Sequence, residues 1–117
     1  MSADPVLAHL LLSNLFDNAV KYTSKNPSAE ISLREVGADD LFRTFAVIDN
    51  GVGFAADDPD SVFRPLTRLH GADEFPGTGL GLASVARIVA LHGGAVSASG
   101  EPGAGATFTF SLPVASD

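Results

Sequence analysis

The sequence predicts an α+β domain: a two-layer α/β sandwich with helices packed on one face of a mixed, mostly antiparallel sheet. Three observations predict it. Two segments place apolar residues at helical spacing, four read as strands, and the order is helix, two strands, a long irregular segment, helix, two strands. At 117 residues the chain is long enough for one core, so residues 1–117 are expected to form a single domain.

The first helix opens at Asp4-Pro5, an N-cap followed by a first-turn proline, and Val6, Leu7, Leu10, Leu11, Leu15, Ala19 and Val20 then recur at helical spacing. It is expected to run to about Tyr22 or Thr23, because Asn26-Pro27 breaks it. Residues 29–36 and 41–48 are strand-like, with Gly37-Ala38-Asp39-Asp40 as the hairpin connection. From Phe54 to Pro76 periodicity fails, and three prolines with several acids mark a long lid-like loop. A second helix is predicted from about Leu80 to His92 on the stripe Leu82, Val85, Ala86, Ile88 and Val89, ended by Gly93-Gly94. Val96 and Ala98, a glycine-rich turn over residues 100–105, and Thr107, Phe108, Phe110 and Leu112 then alternate as a terminal hairpin.

Composition excludes several functions. Fourteen acidic against seven basic residues give a net charge of −7, which argues against a nucleic-acid surface or an anionic-membrane surface. Any anion site must be local. With no cysteine there is no disulfide, thiolate metal site or thiol nucleophile, and the core alone must hold the fold. No apolar run reaches membrane-spanning length and residues 1–4 lack a signal-peptide pattern, so the expected location is cytoplasmic, within a parent protein that is either soluble or membrane-bound.

Three stretches carry chemistry. Gly77-Thr78-Gly79-Leu80-Gly81-Leu82 sets three glycines at alternate positions before a helix, where backbone N–H groups and the helix N-terminus favour an anion such as a nucleotide phosphate. A plain tight turn reads equally well from that stretch alone. Asn14, Asn18 and Lys21 are spaced by four and three residues and are expected on one stripe opposite the leucines, where amide oxygens suit a hard cation and the ammonium suits phosphate. A solvated polar face is the plainer alternative. Asp49 ends an apolar strand and is followed by Gly51 and Gly53, which allow close backbone approach to a ligand. An ionised carboxylate there matches an exocyclic amino group such as adenine's. Thr107 is placed to bond Asp49 or a bridging water, and Arg64, Arg68 and His70 are the lid's donors for terminal phosphates.

The negatives narrow the field. The glycine stretch has no lysine of a G-x-x-x-x-G-K-[ST] loop and no preceding strand of a dinucleotide fold. His9, His70 and His92 lack metal-ligand spacing, and no nucleophile elbow supports a hydrolase triad.

Together the three stretches resemble the catalytic and ATP-binding domain of bacterial sensor histidine kinases, within the GHKL superfamily that includes gyrase-type and Hsp90-type ATPases and shares the Bergerat fold. Asn14 to Thr23 resembles the N box, Asp49 to Gly53 the G1 box and Gly77 to Leu82 the G2 box. Phe63-Arg64-Pro65-Leu66 is similar to the F box, with Leu66 in place of the usual second aromatic. The wider phrase from Phe63 to His70 is similar to phytochrome-like kinases.

The resemblance implies that Asn18 ligates Mg²⁺ with Asn14 in support, that Lys21 contacts phosphates and acts with Asn18 in catalysis, and that Tyr22 lies near the nucleotide. It implies that Asp49 reads the adenine amino group in a pocket shaped by Gly51, Gly53 and Thr107. Gly77, Thr78, Gly79, Leu80 and Gly81, with Arg68 and His70, would hold the phosphate end. The cofactors implied are ATP and Mg²⁺. The partners implied are the dimerisation domain bearing the phosphoacceptor histidine and, through it, a response regulator, with no nucleic acid and no direct membrane contact. No dimerisation helices are present and the usual strands before the N-box helix are missing, so the chain reads as a fragment with a sheet edge left open to pairing and no autophosphorylation alone. Asn14 stands near where the gyrase-like branch has a water-activating glutamate, which argues against an efficient ATPase. Two alternatives remain: a degenerate domain that binds nucleotide or a partner, and a serine kinase of the anti-sigma-factor type.

Overall fold

The structure is a computed structural model that describes residues 4–53, 63 and 81–113. Its elements follow the predicted order: α1 (Pro5–Thr23), β1 (Ile31–Ala38), β2 (Phe42–Asp49), α2 (Gly81–Leu91), β3 (Val96–Glu101) and β4 (Gly105–Pro113). The lid apart from Phe63, including Arg64, Arg68 and His70, and the glycine stretch from Gly77 to Leu80 lie outside the described residues.

α1 starts where the capping chemistry predicts. Asp4 Oδ1 accepts the N–H groups of Val6 at 2.9 Å and Leu7 at 3.2 Å, with Pro5 in the first turn. At its end Thr23 Oγ1 returns to the Ala19 carbonyl and Ser24 Oγ to that of Lys21, at 2.8 and 2.7 Å. Leu11, Leu15 and Ala19 are buried, whereas Val6, Leu10 and Val20 are exposed. The apolar residues counted as one stripe therefore occupy two faces of the helix.

The four strands form one sheet in the order β1-β2-β4-β3, and every described pairing is antiparallel. β1 and β3 are its outer strands. In the first hairpin Asp39 Oδ1 accepts from both Leu41 N and Phe42 N at 2.8 Å, and these bonds hold its carboxyl below the usual range. A register shift between Glu35 and Gly37 interrupts β1 near that turn.

The alternation of β4 decides which side chains meet the helices. Ala106, Phe108, Phe110 and Leu112 enter the core with Val47 of β2, and Leu11, Leu15, Leu82, Val85, Ile88 and Val89 cover them. Phe63 joins this core with its ring edge-on to Phe108, 6.2 Å between centroids, so the first residue of the sequence-predicted F box is a packing residue. Gly94 closes α2 by donating to the Val89 carbonyl at 3.0 Å, and Ala95 then joins β4 through Ser111.

Candidate functional site

The site forms where β2 ends beside the last turns of α1. Asp49 is only 5% exposed. Its Oδ1 accepts the Gly51 N–H at 2.9 Å, while Oδ2 has no hydrogen-bond partner among the described residues. Burial raises its pKa above the ordinary carboxylate value, and the N–H groups of Gly51 and Ala106 act in the opposite direction.

Asn18 is also buried, 9% exposed, and its Nδ2 likewise lacks a hydrogen-bond partner among the described residues. This corrects the expectation that Asn18 shares a stripe opposite the leucines. Seven residues after Leu11 and three after Leu15, it returns to their side of the helix, while Asn14 and Lys21 flank it half-buried. The Lys21 ammonium lies 4.9 Å from the centroid of the Tyr22 ring, a cation–π distance. Unpartnered buried polar atoms are uncommon, and here a donor and an acceptor occur in two of the sequence-predicted site residues.

The glycines after Asp49 answer first to the protein itself. A Cβ on Gly51 would overlap the Tyr22 carbonyl, which also accepts the Val52 N–H at 3.1 Å. Gly53 has φ of +65° and sits directly under the Glu101 carbonyl. These contacts bind the end of β2 to α1 on one side and to the β3–β4 turn on the other. By contrast, a Cβ on Gly81, the first residue of α2, would meet nothing within 4 Å among the described residues.

Thr107 does not face Asp49. The β2–β4 register sets Ala106 opposite Asp49 and Thr107 opposite Ile48, so the Thr107 side chain leaves the other face of the sheet. A cavity of about 380 Å³ near the β3–β4 turn is lined by Ile48, Ser99, Glu101 and Thr107 together with the end of β2 at Asp49. Thr107 borders that cavity beside Ile48.

Two structural roles escaped the sequence reading. Asn50 accepts the Glu30 N–H at 2.8 Å on Oδ1 and donates from Nδ2 to the Ser28 carbonyl at 2.9 Å, while its own carbonyl accepts from Asn26 Nδ2 at 2.9 Å. It clips the loop after α1 onto the end of β2. Ala106, not Thr107, occupies the β4 position beside Asp49, and the inward phase of Phe108, Phe110 and Leu112 was the available signal.

Residues 3–116 match the family described as histidine kinase-, DNA gyrase B-, and HSP90-like ATPase. The chain belongs to that family. Within it, the domain is of the histidine-kinase catalytic type, as its relatives show. It is 38% identical over 105 residues to cyanobacterial phytochrome A of Nostoc sp., covering 89% of this chain and 13% of that protein. It is equally 38% identical to the sensor-like histidine kinase SenX3 of Mycolicibacterium smegmatis, covering 87% of this chain and 26% of the relative. The sensor histidine kinase ZraS of Klebsiella oxytoca is also 38% identical, with 97% and 23% covered.

Among solved structures, the mycobacterial sensor histidine kinase MprB superposes with a TM-score of 0.83 at 28% identity, covering 97% of this chain and 76% of that one. Full-length ShkA in complex with AMPPNP gives 0.76 at 35% identity, covering 95% and 22%. The chain thus spans about an eighth to about a quarter of the length of these curated relatives. Among the described residues no helix is long and apolar enough to cross a membrane.

Proposed function

We propose that this domain binds Mg²⁺-ATP and delivers the γ-phosphoryl group to a histidine on a separate dimerisation domain, from which a response regulator is later phosphorylated. The observation that carries the reading is the pair of buried polar atoms, Asp49 Oδ2 and Asn18 Nδ2, that have no hydrogen-bond partner among the described residues. Family membership and the AMPPNP named with ShkA support it.

The residues present fit the ligand. Asp49 Oδ2 is an acceptor in want of a donor, the complement of the adenine 6-amino group, and guanine's carbonyl at that position would meet a repulsive oxygen. Asn18 can offer its N–H to a phosphate oxygen or, with the amide turned, its oxygen to a cation. No three His, Asp or Glu side chains converge to hold a metal among the described residues. Mg²⁺ would therefore be shared between Asn18, with Asn14 beside it, and the phosphates, where it neutralises charge. Lys21 supplies a further positive charge, set against the Tyr22 ring. Gly77, Thr78, Gly79, Leu80 and Gly81 close the phosphate end, with Arg68 and His70 as lid donors.

In the transfer, the bond between the γ-phosphorus and the β–γ bridging oxygen breaks, a bond to an imidazole nitrogen forms, and ADP leaves. The domain's task is to position the chain of phosphates and exclude water, since phosphoryl transfer asks for little covalent chemistry from the protein. Asn14, a neutral amide, gives no base for activating water. We place the reaction in the cytoplasm, where ATP and a response regulator are available.

Calorimetric titration with a non-hydrolysable ATP analogue and Mg²⁺, with a GTP analogue and Asp49→Asn as controls, tests the reading. Adenine-selective binding weakened by the substitution is expected. A folded chain that binds neither analogue overturns it.

A further inference from the structure

His92 joins the two helices at the end remote from the site. Its Nδ1 lies 2.8 Å from the Ile88 carbonyl, which can only accept, so Nδ1 carries the proton. Nε2 then presents a lone pair and accepts the Asp4 backbone N–H at 3.1 Å. One neutral tautomer satisfies both contacts. The bond crosses 88 residues of sequence and ties the N-cap of α1 to the residue after α2.

The placement makes this tie an axial one. α1 ends against Gly51, next to Asp49, whereas α2 leads to Gly94, packed on the Ser111 carbonyl toward the far end of β4. Because α1 also starts beside His92, the helices run antiparallel over the sheet. Both helices feed one apolar core, Leu11 and Leu15 from α1 and Val85 and Val89 from α2, and burial of that kind has no preferred direction. The Asp4–His92 hydrogen bond adds direction. A helix is stiff along its axis, so a slip at Asp4 is carried to Asn14, Asn18 and Lys21, whereas α2 holds Gly81 at its opposite end.

We propose that His92 is a positioning residue for the nucleotide site, setting the axial register between the helix that bears Asn14, Asn18 and Lys21 and the helix that opens at Gly81. The inference rests on the nucleotide reading above. His92 touches no ligand itself.

Two substitutions separate the tie from the ring. His92→Gln puts an amide oxygen near the place of Nε2 and keeps an acceptor for the Asp4 N–H. His92→Asn is shorter, and serves only the Ile88 carbonyl. Affinity for a Mg²⁺-ATP analogue is measured well below each melting transition, with amide exchange followed at Asp4.

The Gln variant is expected to bind within about twofold of the original chain, and the Asn variant about fivefold to tenfold more weakly with faster Asp4 exchange, as loss of one hydrogen bond predicts. Equal affinity in all three chains overturns the inference, because the tie then serves stability alone. Equal loss in both variants also overturns it, since the ring rather than the Asp4 bond would matter. An unsubstituted chain that binds no adenine nucleotide overturns the nucleotide reading itself, and this inference with it.

Discussion

Asp49 Oδ1 and the Gly51 N–H meet at 2.9 Å, and the second oxygen of the same carboxylate is buried and without a hydrogen-bond partner among the described residues. One oxygen shapes the turn after β2, and the other remains for a ligand. Replacing Asp49 with Asn keeps the first contact and changes the second from acceptor to donor. Adenine-nucleotide affinity should fall at least about tenfold, because a donor then faces the amino group. Titration calorimetry of the two chains checks this, and undiminished affinity would place adenine elsewhere.

The same substitution should stabilise the ligand-free domain. Burial raises the Asp49 pKa, so the folded state holds a proton more tightly than the unfolded chain does. The resulting stability is present below the unfolded carboxylate value and is lost as pH rises through the raised folded value. Asp49→Asn removes that loss, and a gain of about 1 kcal/mol is expected at neutral pH. Thermal melts across the acidic range should show the advantage shrinking as pH falls.

Glycines 51 and 81 stand in opposite situations. Alanine at Gly51 would drive a methyl group into the Tyr22 carbonyl, a backbone atom that cannot swing aside, and should cost about 1–3 kcal/mol of stability. Alanine at Gly81 meets nothing within 4 Å among the described residues. Gly81→Ala should therefore leave the melting temperature unchanged or slightly raised while weakening Mg²⁺-ATP binding. Melting curves and calorimetry on both variants separate a glycine kept for the fold from one kept for a ligand.

What the sequence disclosed depended on the range over which each feature acts. The Asp4-Pro5 start, the stop after Thr23 and all four strands follow from local capping, period and turn chemistry, and they lie within about two residues of expectation. Asn18 and Thr107 were misplaced although the signal was present. The seven-residue step from Leu11 puts Asn18 on the buried side, and the inward run of Phe108, Phe110 and Leu112 puts Thr107 outward. Asn50 and His92 were illegible for a different reason. Glu30 and Ser28, which Asn50 bonds, and Asp4, which His92 bonds, lie 20 or more residues away, and only the folded chain brings them together.

Asn50 supplies the last prediction. Oδ1 receives the Glu30 N–H, Nδ2 donates to the Ser28 carbonyl, and the backbone N–H reaches the Glu30 carbonyl at 3.2 Å, so one residue closes the loop between α1 and β1 onto the end of β2. Asn50→Ala removes both side-chain bonds and should cost about 1–3 kcal/mol. Asn50→Asp is the sharper probe. It keeps an acceptor for Glu30 but sets a carboxylate oxygen against the Ser28 carbonyl, so the loss should be similar even though the volume is unchanged. Because Asp49 and Gly51 flank Asn50, loosening the clip should also speed amide exchange at Glu30 and Gly51 together. Exchange that rises at Glu30 alone would show that the loop is held separately from the Asp49 turn.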